Sequence, residues 1–287
     1  MLLYNSLQMI IDFHSHVYPP TFAQRREELS KSDVTFDSLY SNPHATIASA
    51  NELICRMNDS EIDAAVVMGI GWTNLDIAKE ANDYILETAQ ENPDRLIPFC
   101  SLNPAWGDDA IKELERCTLL GAKGVGELHP DTQGFDISDK EQMRSLMEAA
   151  KALGLIVLVH SSEPVGHLYP GKGTTTPGKL WRFIKNFSDN PIVCAHWGGG
   201  LPFYALMPEV AESMTNVYFD TAASPFLYKP SIFETTVNIL GPRKILMGTD
   251  YPLIPQTRVL SEIDRTPLPR HVKELILGHN AKALLNI

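Results

Sequence analysis

Short apolar runs recur along the chain, each followed by a loop and then by a segment whose apolar positions fall at helical spacing. The runs are Met9 to His16, Ala64 to Met68, Leu96 to Cys100, Ala122 to Glu127, Leu155 to His160, Pro191 to His196, Val217 to Asp220 and Ile245 to Thr249. Between them the spacing predicts helices near Leu75 to Glu91, Asp108 to Leu119, Asp139 to Leu153, Thr176 to Phe187, Pro202 to Ser213 and Ser231 to Leu240. A continuously apolar run such as Leu155-Ile156-Val157-Leu158-Val159 is that of a strand buried on both faces, as in a parallel sheet covered by helices. Eight such units predict an α/β fold, a distorted TIM (β/α)8 barrel that forms a single domain over residues 1–287. The alternative, an open doubly wound sheet binding a dinucleotide, wants a Gly-rich phosphate loop after the first strand, and none follows it.

Several helix ends are marked. Asn74 and Ser138 are candidate N-caps, and Gly121 and Gly154 stand where C-terminal glycines belong. Residues 17–45 break the pattern with Pro19, Pro20, Pro43 and a charged patch from Gln24 to Lys31, and they read as a long irregular, lid-like insertion. A helix is expected after it, from Thr46 to Asn58.

Composition changes this picture little. The chain of 287 residues is 44% hydrophobic, with a formal charge of −11, which argues against nucleic acid or an anionic membrane as the main partner. A chain of this length buries enough surface to fold without a structural metal, so any bound metal is expected to be functional. Cys55, Cys100, Cys117 and Cys194 have no C-x-x-C spacing and suit free thiols in a reduced, cytoplasmic setting. Residues 1–8 lack a basic start and an apolar core, so neither a signal peptide nor a membrane span is expected, and Met9 is a candidate native start.

The candidate chemistry lies at the strand ends. In a parallel barrel all strand C-termini share one face, so residues distant in sequence converge there. His14 and His16, one residue apart on an extended chain, point to one side. Glu127, His160, His196 and Asp250 end or follow later strands, and imidazoles with carboxylates suit zinc, manganese or iron. His129 shares the direction of Glu127, but Pro130 turns the chain there, so direct coordination is not expected. The loop from Ser161 to Gly173 is the expected specificity element, with Lys172 placed to meet a substrate carboxylate and His167 and Tyr169 as further substrate contacts. Trp72, Trp106 and Trp197 each follow a strand and are candidate pocket walls, Trp72 and Trp197 above all.

These residues, in the stretches D-F-H-S-H-V-Y-P from Asp12, V-H-S at 159–161, A-H-W-G-G-G at 195–200, G-T-D-Y-P at 248–252 and G-H-N-A-K-A-L-L from Gly278, resemble the amidohydrolase superfamily. More narrowly the chain is similar to the amidohydrolase-2 branch, with its aminocarboxymuconate-semialdehyde decarboxylases, resorcylate decarboxylases and related hydrolases. The resemblance implies that His14, His16, His160 and Asp250 hold one divalent ion, usually zinc, with His196 beside it as a ligand of a second ion or as an acid/base. Where the family commonly reads K-L-H-P, this chain has Glu127-Leu128-His129-Pro130, so Glu127 is a candidate ligand or bridge and the count of one or two ions stays open.

The resemblance implies a metal-dependent hydrolase, in which a metal-activated water attacks a small amide, ester or lactone. A bound zinc lowers the pKa of water from about 15.7 to about 7, with Asp250 accepting the proton and His196 orienting or protonating the reacting group. The rival enzymatic reading is a nonoxidative decarboxylase of a small cyclic or unsaturated carboxylic acid, and the rival outside catalysis is a silent metabolite-binding barrel. A small molecule is the expected partner. Related enzymes are often dimers, which allows a homodimer.

Overall fold

The computed structural model describes residues 9–287, and the features read in residues 1–8 lie outside the described residues. Eight parallel strands run in chain order: β1 (Ile11–His16), β2 (Ala64–Met68), β3 (Leu96–Cys100), β4 (Gly124–Leu128), β5 (Ile156–Val159), β6 (Ile192–Cys194), β7 (Val217–Asp220) and β8 (Ile245–Leu246). The first and last strands close the barrel. Phe13 N–H donates to the Met247 carbonyl at 2.7 Å, Asp250 N–H to that of His14 at 2.9 Å, and His16 N–H to that of Tyr251 at 2.7 Å.

Alternate strand residues divide into two layers, as the two-residue repeat requires. Ile11, Phe13, Phe99, Ile156, Leu158, Val193 and Leu246 fill the barrel interior. Val157, Val159, Ile192, Cys194 and Phe219 face the surrounding helices with Leu146, Leu180 and Phe183. Each such buried aliphatic or aromatic side chain contributes about 1.5–3 kcal/mol through burial.

Two breaks in register interrupt the alternation, one between Asp12 and Ser15 in β1, the other between Val125 and Leu128 in β4. A one-residue slip turns a side chain to the opposite face of a strand. Accordingly, Phe13 packs inward and its neighbour His14 also turns into the barrel mouth, and Glu127 joins them there. Gly126, the residue before Glu127, has φ of 154°, and a Cβ on it would lie 2.6 Å from the Leu158 carbonyl oxygen. Only glycine lets β4 pass β5 this closely.

The helices differ from expectation in four places. Asp139, not Ser138, caps the helix Lys140–Ala152, accepting from the N–H groups of Glu141 and Gln142. Ser138 instead donates to Asp136 in the preceding turn. The helix expected from Thr46 begins at Ala50, where Ser49 and Glu52 form a reciprocal capping box. The segment expected as one helix from Pro202 to Ser213 is two short ones, Leu201–Tyr204 and Pro208–Glu212, because Pro208 starts the second rather than continuing the first.

The insertion is the fourth. Residues 17–45 contain three short helices, Thr21–Gln24, Arg26–Ser32 and Val34–Tyr40. Tyr18, Phe22, Phe36, Tyr40 and Trp72 form an aromatic core beneath them. Buried Asp33 caps the third helix through Phe36 N–H and also accepts from Thr73 and Asn74, which fastens the insertion to the loop after β2. All four cysteines are free; Cys55 is exposed and the other three are buried. Among the described residues no helix is long and apolar enough to cross a membrane.

Candidate metal centre

Six of the candidate ligands meet at the C-terminal mouth of the barrel. His14 and His16 leave β1 with their Nε2 atoms 3.1 Å apart. Asp250 Oδ1 lies 3.2 Å from His16 Nε2 and 3.7 Å from His14 Nε2. Glu127 Oε2 lies 3.7 Å from His16 Nε2 and 3.9 Å from His14 Nε2, while its Oε1 faces the other way, 3.0 Å from His160 Nδ1 and 3.3 Å from His196 Nε2. The ligand atoms form two groups, His14–His16–Glu127 and Glu127–His160–His196, joined through the single carboxylate. His160 is thus grouped with His196, across Glu127 from His14 and His16.

The donor chemistry fits a cation. His16 Nδ1 lies 3.0 Å from the Gly69 carbonyl and His196 Nδ1 lies 3.2 Å from that of Ala222. A carbonyl only accepts, so each Nδ1 carries a proton and donates it, which leaves the Nε2 lone pair of the neutral ring directed into the site. His14 does the same through Nδ1, donating to Asp220 Oδ2 at 2.9 Å. Two lone pairs 3.1 Å apart between His14 and His16 repel unless a proton or a metal lies between them.

The electrostatics agree. Burial drives His14 down, but Asp220, with Glu127 and Asp250, overrides it and pushes the group up to about 9. Burial likewise opposes His196, yet the Glu127 hydrogen bond and the Asp250 and Asp220 carboxylates push it up to about 10. Glu127 is held well below the carboxylate range by His160, His196 and His14 despite its burial, and Asp250 is lowered by His16, His14 and His196 despite its own. With metal absent, protons on histidine supply the positive charge that these carboxylates demand.

Two carboxylates not foreseen as site residues hold the arrangement. Asp220, at the end of β7 and fully buried, orients His14 and accepts from His196 N–H at 2.9 Å. Asp12 accepts from Thr249 N–H at 3.0 Å, Thr249 Oγ1 at 2.6 Å and Gln256 Nε2 at 2.9 Å, which fixes the turn carrying Asp250. Gly248 permits that turn to approach β1, since a Cβ on it would lie 2.9 Å from the His14 Cβ. His196 and Asp250 themselves sit at φ of 55° and 66°, left-handed conformations uncommon outside glycine that concentrate at functional sites.

A cavity of about 610 Å³ opens over the ligands, with His16, Glu127, His160, His196 and Asp250 at its floor. His167 and Tyr169 line it, as does His129. His129 stacks on His160, ring centres 4.1 Å apart, and its Nε2–H donates to the Gly171 carbonyl at 3.0 Å. Burial and the neighbouring His160 lower it to about 4, so it stays neutral.

Three expected substrate contacts lie elsewhere. Trp72 is fully buried in the insertion's aromatic core, against Tyr18, Phe22 and Phe36. Trp197 is fully buried against Phe233, its Nε1–H donating to Ser224 Oγ at 3.0 Å. Both indoles pack into apolar clusters outside the cavity, Trp72 beneath the insertion and Trp197 beside Phe233. Lys172 folds back on its own loop and donates to the Val165 and His167 carbonyls at 2.8 and 2.9 Å, where unpaired loop oxygens capture the ammonium.

An eight-stranded parallel barrel with histidines and carboxylates gathered at its C-terminal mouth is the form of a metal-dependent barrel enzyme. The amidohydrolase family profile matches residues 11–287, and the chain belongs to that family. Among curated proteins it is similar to 2-amino-3-carboxymuconate-6-semialdehyde decarboxylase of Dictyostelium discoideum, 23% identical over 96% of this chain and 91% of that protein. Among solved structures it is similar to 5-carboxyvanillate decarboxylase from Sphingomonas paucimobilis, with a TM-score of 0.80 at 18% identity over 98% of this chain and 99% of the other. The 5-carboxyvanillate decarboxylase from Novosphingobium aromaticivorans, complexed with manganese and 4-hydroxy-3-methoxy-5-nitrobenzoic acid, has a TM-score of 0.80 at 16% identity over 99% of this chain and 97% of the other.

Proposed function

We propose that the protein is a metal-dependent nonoxidative decarboxylase of a small cyclic or unsaturated carboxylic acid, working in the reducing cytoplasm. The observation that carries this reading is the cation-demanding ligand cluster at the floor of a cavity large enough for one ring, in a chain whose relatives bear decarboxylase names.

His14, His16, Glu127 and Asp250 would hold a divalent ion, manganese or zinc, with His160 and His196 across Glu127 completing the set or holding a second ion. When bound, the ion supplies electrostatic stabilisation of negative charge on the substrate's oxygens. Asp220 and Gly69 keep the β1 imidazoles aimed at the floor. His196, with its Nε2 at the cavity floor 3.3 Å from Glu127 Oε1, would, where it holds no ion, deliver an Nε2 proton to the carbon that loses its carboxylate. The balance is an acid anion plus a proton giving a carbon–hydrogen bond and carbon dioxide.

A second reading, hydrolysis of a small amide, ester or lactone, is favoured by Glu127, whose two oxygens face separate ligand groups as in a two-ion hydrolytic site. Screening manganese- and zinc-loaded protein against hydroxybenzoates, unsaturated cyclic acids, lactones and esters separates the two. Carbon dioxide released one-for-one with acid consumed supports the decarboxylase; hydrolysis without carbon dioxide rejects it.

A further inference from the structure

We propose that this cavity selects acids bearing a single carboxylate, and that Tyr40, supported by Tyr18, is the hydrogen-bond donor that reads the uncharged part of the ligand; the inference rests on the decarboxylase reading.

The first half follows from where the cations go. Among the described residues no lysine or arginine lines the cavity, and residues 1–8 contain none. The nearest candidates are turned to other work. Arg26 spans the backbone carbonyls of Tyr40, Asn42 and Ala45, which fixes the insertion's inner edge. Lys172 is held by the Val165 and His167 carbonyls. Arg258 lies over the Phe226 ring, 5.2 Å from its centre, and donates to the Pro225 carbonyl. The walls mix apolar residues such as Leu39, Ile70 and Phe226 with polar ones such as Asn42, Thr46 and Tyr169, and carry the histidines His44 and His167. Among the described residues, permanent positive charge is therefore confined to the metal floor, beside the carboxylates Glu127 and Asp250. One substrate carboxylate is compensated there, and a second on the same ring is desolvated without a cation to pair with it.

The second half follows from a hydroxyl pair. Tyr18 is fully buried, and among the described residues its hydroxyl meets only that of Tyr40, at 2.9 Å. If Tyr40 donated to Tyr18, the Tyr18 hydrogen would be buried without an acceptor, a costly arrangement. The satisfied network has Tyr18 donating to Tyr40, which leaves the Tyr40 hydrogen for whatever occupies the cavity that Tyr40 lines. The insertion thus contributes a neutral donor in place of a cation. Hydroxyl or carbonyl oxygens on the ligand accept from it, and a carboxylate that did so would still lack a cation to offset its desolvation.

The test is equilibrium binding to the manganese-loaded full chain at pH 8 by titration calorimetry, with benzoate, 3-hydroxybenzoate and isophthalate as probes. Isophthalate is expected to bind at least about tenfold more weakly than benzoate, and Tyr40→Phe to weaken 3-hydroxybenzoate roughly fivefold while leaving benzoate unchanged. Isophthalate binding as tightly as benzoate overturns the charge selection and leaves the decarboxylase reading standing. Equal losses for benzoate and 3-hydroxybenzoate in Tyr40→Phe overturn the assignment of Tyr40 as a reader. Failure of every acid to bind overturns this inference together with the reading beneath it.

Discussion

Asp220 Oδ2 accepts the Nδ1 proton of His14 at 2.9 Å, with both side chains fully out of contact with solvent. The same carboxylate takes the His196 backbone N–H through its other oxygen, so one residue of β7 sets the aim of β1 and the turn after β6. Outer-shell carboxylates of this kind fix the ligand tautomer and raise its basicity. Asp220→Asn is expected to weaken manganese or zinc binding roughly 10- to 100-fold, read by competition with a chelating indicator. Unchanged affinity would show that His14 is held by packing alone.

Glu127 presents one oxygen to each ligand group. If Glu127 bridges a second ion, Glu127→Ala is expected to reduce metal content toward about one ion per chain. Elemental analysis of fully loaded wild type and variant checks this, and an equal ratio in the two would reject the bridging role.

Asp250 faces the cavity beside His16, and its turn is tied down independently by Asp12 through Thr249 and Gln256. Asp250→Asn preserves shape and removes the charge. Turnover is expected to fall by at least about a hundredfold, with the thermal transition of the metal-free protein retained. Near-normal turnover would remove Asp250 from the chemistry.

The metal-free protein should be sensitive to base. His14 and His196 are raised from the ordinary 6.5 to about 9 and about 10. A raised folded-state value means that protonation favours the fold, so this contribution is complete below the ordinary value and is lost as pH rises through 9 and 10. The melting temperature of the metal-free chain is expected to drop across that window, and loading with metal should flatten the drop while releasing protons on binding. Parallel pH profiles of the two forms would reject the cation-for-proton exchange.

The barrel was legible because continuous apolar runs and helical spacing repeat through the chain, and the gathering of the candidate ligands because strand ends of a parallel barrel share a face. The paired histidines of β1 are a weak signal alone and gain weight from the ligand-type residues at the later strand ends. Asp220 carried none: it ends β7 like many polar residues, and its role comes from a partner 206 positions away. Asp12 is similar, since its partners Thr249 and Gln256 reach it only across the barrel seam. The insertion looked irregular because its longest helices have seven residues, too few to show a period. The position of Trp72, Trp197 and Lys172 after strands points them at the cavity, but it fixes where a backbone lies and not whether the side chain turns inward. Competing aromatic packing and loop carbonyls decided those three.

In a decarboxylation, carbon dioxide leaves and a solvent-derived proton takes its place. The direct measurement is mass spectrometry of the product formed by manganese-loaded protein from the substrate acid in D2O and, separately, in 18O-labelled water. A decarboxylase leaves one deuterium on the carbon that bore the carboxylate and no 18O in the organic product. Product carrying 18O and no new carbon–deuterium bond would contradict it and establish hydrolysis instead.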